Sequence, residues 1–305
     1  MAAAPTFLAA CWLSAGDVVP FRGKTHSTID IRTRIEAVAR AGYVGFGVTH
    51  EDITTARDTV GLPAVAAMLA DNGIDTVQLE WITDWWAMGA ERQRSDVVRR
   101  NLLEAAEALD ADNIKVGADD TGEPAAYEQL CEGLHDLARD AAEVGVRIGF
   151  ENTPFGHVKT TEAAIRFISD VGHPNAGLIL DIWHAQRGGT FYEDLPRLLD
   201  LSQLVGVELD DGHHSARGLD LEDTFDNRLL CGQGVFDVTE FIRAVQRVGW
   251  TGPWGIEHMS TVSRSQPIDE VLVQAREAAL TCLSAADRGD GRVSAGPVTT
   301  EGSRR

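Results

Sequence analysis

The chain has 305 residues, 44% hydrophobic and 24% charged, a composition that suits one large α/β domain or two small ones. Acidic residues outnumber basic ones 47 to 27, a formal net charge of −20, and such a surface repels nucleic-acid backbones and anionic membranes. No uncharged apolar stretch is long enough to cross a bilayer, and Cys11, Cys131, Cys231 and Cys282 show no paired spacing, which fits reduced thiols in a cytoplasmic protein.

The N-terminal MAAAPTFLAACWLS has no basic leader and reads into a strand rather than a signal peptide. Strand-like runs then alternate with helical segments along the chain. The strands are expected at 6–13, 43–49, 75–81, 113–118, 146–152, 177–183, 203–210 and 252–258. Helical spacing is clearest at 28–42, 95–110 and 124–145, and Gly42, Gly73, Gly145 and Gly249 stand where helices should stop. Eight strand–helix units in one domain, residues 1–285, predict a (β/α)8 TIM barrel. A doubly wound sheet would place a Gly-rich phosphate loop after its first strand, and here only Gly16 and Gly23 follow. Residues 286–305 are polar and rich in Gly and Pro, and are expected to form a disordered tail. Longer connections at 82–94 and 211–236 fall after strands, on the face where barrels bind substrates.

Glu151, Asp181, Glu208 and Glu257 each stand at or near the end of a separate apolar run: VRIGFEN, GLILDIWH, LVGVELDDG and GPWGIEH. A carboxylate at a buried strand tip is costly unless it is paired or coordinated. For one such group an arginine partner or a helix cap is the competing reading. Four of them, from consecutive strands of a barrel, point to a ring of ligands around a hard divalent cation, Mn²⁺ or Mg²⁺ before Zn²⁺.

These pieces resemble the sugar phosphate isomerase/epimerase superfamily with its xylose isomerase-like TIM barrel, over roughly residues 6–285. GFEN, LILDIWH, VELDDG and GIEH carry the likeness, together with RLLCGQGVFDVTEFIRAV, which is similar to the family's arginine followed by a G-x-G-x-x-D loop and helix. The resemblance implies one divalent metal, Mn²⁺ first with Mg²⁺ or Co²⁺ as alternatives, held by Glu151, Asp181, Glu208 and Glu257. It also implies that Glu151 and Glu257 serve as an acid/base pair, removing a proton beside a carbonyl through a metal-bound enediolate.

Glu208 departs from the family, whose strand-seven ligand is commonly His or Gln. Four carboxylates around one dication leave a surplus of two negative charges, for which Lys115, Lys159 and Arg228 are candidate counter-charges; Asp210 is an alternative ligand or partner on the same strand face. By resemblance His184 and Arg228 contact substrate, and Glu80 with Trp85, in a cluster that also holds Trp81 and Trp86, offers a surface for a sugar ring. Trp81 itself is read as packing under a loop. His26, His50 with Glu51, and the His213–His214 doublet are read as structural or solvated.

The expected activity is metal-dependent isomerisation or epimerisation of a small sugar or cyclic polyol ketone. The alternative is a dehydratase or lyase acting on an inosose-like or 3-keto-sugar substrate. An abasic-site endonuclease-like phosphodiesterase would need basic DNA-contact loops, which the charge disfavours. A non-catalytic binding protein is supported only by Glu208. Family members often pair, so a homo-oligomer is left open, with no nucleic-acid or membrane partner expected.

Overall fold

The computed structural model describes residues 4–24, 26–118, 125–289 and 291. Eight parallel strands close into a barrel in chain order: β1 (Phe7–Ala9), β2 (Gly45–Thr49), β3 (Thr76–Ile82), β4 (Asn113–Gly117), β5 (Arg147–Glu151), β6 (Ala176–Asp181), β7 (Leu204–Leu209) and β8 (Trp254–Ile256). β1 pairs with β8 through Phe7–Trp254, Leu8–Gly255 and Ala9–Ile256, which completes the ring. The (β/α)8 barrel expected from the alternating pattern is therefore the fold.

Helices cover the outside, and their apolar faces are buried. On Val238–Val248 the buried residues include Phe241, Ile242 and Val245, at the three- and four-residue spacing of one helical face. The Asp237 side chain accepts from Glu240 N to cap that helix, and Gly249, at φ 104°, ends it in the left-handed conformation that glycine adopts without strain.

Three expected boundaries shift. The apolar run 6–13 is a strand only as far as Ala9; Cys11–Ser14 is a helical turn whose Cys11 and Leu13 are equally buried, so apolarity alone could not separate the two. The loop expected at 82–94 is shorter, because β3 continues to Ile82 and a helix begins at Gly89. The domain limit at residue 285 falls inside the last helix, Ile268–Arg288, where Ala285 and Ala286 are buried and Gly289 forms the cap. The rest of the expected tail, Gly289 and Gly291 apart, lies outside the described residues. Among the described residues no helix is long and apolar enough to cross a membrane.

Candidate active site

The C-terminal ends of β3 to β8 bring six carboxylates together: Glu80, Glu151, Asp181, Glu208, Asp210 and Glu257, all buried. Two cations stand among them. Lys115, from β4, places Nζ 2.7 Å from Glu208 Oε2, 2.8 Å from Glu257 Oε1, 3.0 Å from Glu151 Oε1 and 3.9 Å from Glu80 Oε2. Burial opposes its charge, yet these carboxylates hold its pKa well above the ordinary lysine value. Burial and the neighbouring acids push Glu208 up to about 8 and Glu151 well above the usual carboxylate range, with Lys115 pulling both the other way.

Arg228 is the second cation. Its Nη1 donates to Asp181 Oδ2 at 2.6 Å and Asp210 Oδ2 at 2.5 Å; Nη2 donates to Thr224 Oγ1 at 2.9 Å and lies 3.1 Å from Glu257 Oε2. Nε donates to the Thr224 carbonyl at 3.1 Å, and the guanidinium lies over the Trp183 ring. Expected as a substrate-binding group, Arg228 lines the cavity floor, but its N–H donors are committed to the protein. His184 begins the last turn of the short helix capped by Asp181, whose Oδ1 accepts from Trp183 N at 2.5 Å and His184 N at 3.3 Å. Burial first, and Arg228 second, lower the His184 pKa well below the ordinary value, so the ring is neutral and keeps a lone pair.

Glu151, Asp181, His184 and Glu257 each offer a ligand atom within 4.8 Å of the others. Three hard carboxylate oxygens and a neutral imidazole fit a divalent cation. Three members of this set are residues expected as ligands. The fourth is His184, expected to contact substrate, whereas Glu208 stands outside the set and is paired with Lys115. Glu208 Oε2 accepts from Lys115 Nζ at 2.7 Å, and its Oε1 has no hydrogen-bond partner among the described residues.

Above this floor opens a cavity of about 340 Å³. Glu80 and Glu51 line it, along with apolar walls from Trp12, Phe21, Trp81, Phe155, Phe225 and Met259. Trp85, expected at the substrate, is 1% exposed and not on the wall; its Nε1 donates to Gly117 O at 2.9 Å. Trp81 takes the wall position instead. Its ring lies so close across Gly117 that a Cβ there would come within 1.9 Å of Cζ2. The β3–β4 register shifts between Glu80 and Ile82, which breaks the alternation that would otherwise place Trp81 away from the Glu80 face.

The loop after β7 is tied down by a residue that sequence reasoning passed over. Asp211 accepts from the backbone N–H groups of Gly212, Gly232, Gly234 and Phe236 at 2.8–3.0 Å. A Cβ on Gly234 would sit 2.3 Å from Asp211 Oδ1, so the second glycine of the G-x-G-x-x-D stretch is there for close approach. The repeated glycines near an Asp–Asp–Gly strand end were the available signal. His213 contributes its backbone carbonyl, accepting from Arg187 Nη1 at 3.0 Å, and His50 contacts Asn101 Nδ2 at 3.0 Å.

The sequence model of xylose isomerase-like TIM barrels matches residues 35–279. The chain belongs to that family. Within it, a 3-dehydroshikimate dehydratase of Pseudomonas aeruginosa is 29% identical over 250 residues, covering 77% of this chain and 37% of the relative. The chain thus spans little more than a third of that relative's length. Among solved xylose isomerase-like barrels, the IolI protein with a bound zinc atom superposes with a TM-score of 0.75 at 17% identity, over 85% of this chain and 94% of the other. A D-psicose 3-epimerase crystallised in the presence of D-fructose gives 0.65 at 19% identity, over 86% and 94%. At those identities the structures speak for the fold. The buried acidic and histidine cluster is a group of residues that could hold a metal ion.

Proposed function

We propose that this barrel is a divalent-metal-dependent dehydratase that removes a proton beside the carbonyl of a small, polyhydroxylated cyclic ketone and expels a neighbouring hydroxyl as water. The gathering of Glu151, Asp181, His184 and Glu257 at the cavity floor carries the reading. A dication held there, Mn²⁺ before Mg²⁺ or Co²⁺, would polarise the substrate carbonyl and acidify the adjacent C–H. Glu151, a buried carboxylate that lines the cavity, is the base. Glu257, fixed between Lys115 and Arg228, is its partner in the acid/base pair. Glu80 lines the cavity and is the group proposed to meet a substrate hydroxyl. The aromatic and apolar walls exclude water and suit the face of a carbocycle.

The similarity to 3-dehydroshikimate dehydratase favours dehydration over epimerisation. Isomerisation is the second reading, because a carboxylate pair in one cavity also serves proton transfer between adjacent carbons.

The test is incubation of the purified protein with Mn²⁺ and 3-dehydroshikimate, following ultraviolet absorbance of the aromatic product left when the ring loses water. A parallel set of ketoses and inososes in D₂O reports solvent deuterium in recovered sugar. Aromatic product supports the dehydratase; deuterated isomers without water loss move the assignment to an isomerase; neither reaction with any of these ketones would sink the reading.

A further inference from the structure

The chemistry proposed above uses Lys115 only to fix Glu257, yet its ammonium touches two of the four candidate metal donors. Nζ donates to Glu208 Oε2 at 2.7 Å and to Glu257 Oε1 at 2.8 Å and lies 3.0 Å from Glu151 Oε1, and the side chain is fully buried. Glu208 is the partner outside the donor set, and the barrel makes space for it. Gly255 stands opposite Glu208 in the β7–β8 register, where a Cβ would come within 2.8 Å of Glu208 Cγ. Glu208 Oε1 has no hydrogen-bond partner in the protein, so this carboxylate has capacity to spare.

The other resident cation is differently held. Arg228 is anchored by Asp210 and by both the carbonyl and hydroxyl of Thr224, none of them in the donor set. A planar guanidinium fixed on three sides stays where it is, whereas a lysine ammonium on a four-carbon stem can withdraw by rotation about its bonds. An incoming dication therefore meets one fixed competitor and one movable one.

We propose that Lys115 is a resident cation of the carboxylate cage, that it competes with a divalent ion for Glu151 and Glu257, and that Glu208 is the berth to which it retreats when the ion binds. The inference rests on the metal reading above and adds what sets the affinity. It also explains the Glu208 departure: a histidine or glutamine at that position would supply a ligand but no counter-charge for a buried ammonium. Two substitutions at one salt bridge then act in opposite directions. Lys115→Met frees oxygens of Glu151 and Glu257 and tightens metal binding, while Glu208→Gln leaves the ammonium more dependent on the donor set and loosens it. A merely structural bridge would weaken binding in both variants by distorting the floor.

The experiment is calorimetric titration of Mn²⁺ into metal-stripped wild type, Lys115→Met and Glu208→Gln, with the Mn²⁺-induced rise in Tm as a second readout. About tenfold tighter binding in Lys115→Met, the scale of a typical coupling between sites, with weaker binding in Glu208→Gln, is the expected result. Should Lys115→Met require metal to fold, Lys115→Gln is titrated in its place. Wild-type binding with equal or weaker affinity in the lysine variant overturns the inference and leaves the metal reading intact. Absence of binding in wild type and in every lysine variant overturns both. Binding that appears only once Lys115 is replaced supports the inference in its strongest form.

Discussion

Two of the buried ionic clusters among the described residues are built on different charge ratios. Beneath the loops after β1 and β2, Arg34 pairs with Asp52, one cation with one anion. Arg34 also donates to Ser14 Oγ and Cys11 O, and Asp52 Oδ1 accepts from Ser27 N at 2.7 Å. At the cavity floor, Lys115 and Arg228 face six carboxylates, and Glu151, Glu208, Asp210 and His184 each keep an atom without a hydrogen-bond partner. A balanced, saturated pair fixes backbone segments against one another. An excess of buried acid with spare acceptors is expensive to keep and gains by admitting a cation.

Substitutions can break that contrast. The largest effect is expected at the floor: Glu151→Gln should lower turnover by about 10²–10⁴-fold, the usual contribution of a positioned acid or base. Steady-state kinetics on whichever ketone proves to be turned over would check it, and retained turnover would reduce the floor to another structural cluster. Arg34→Met should instead cost about 3–5 kcal/mol of stability by stranding a buried carboxylate, seen in urea unfolding, while Mn²⁺ affinity stays at the wild-type value. A smaller effect separates the two tryptophans. Trp81→Ala should raise KM several-fold with little change in kcat, whereas Trp85→Phe should leave KM alone and cost about 1 kcal/mol for one lost hydrogen bond.

How much of this was legible in the sequence differs from residue to residue. Glu151, Asp181 and Glu257 stood out because each ends an apolar run, and a barrel brings successive strand ends to one face. The partner of Glu208 did not, since Lys115 is 93 residues away in the chain and only ring closure brings β4 towards β7. Lys115 was visible as a candidate counter-charge without any geometry to choose it over Lys159. Trp81 and Trp85 exchanged roles: Trp81 lies in β3 where its register with β4 shifts, and lines the cavity, whereas Trp85, beyond the strand, is buried. Asp211 escaped notice because its ligands are backbone N–H groups, which leave no mark on the sequence except the glycines that let the chain come close.

The placement of the aromatic residues has an optical consequence. Of seven tryptophans, Trp12 and Trp81 line the cavity, and Trp85 and Trp86 are packed away beside it. Fluorescence from those two indoles should change as the cavity fills, so the protein carries its own unlabelled reporter of occupancy.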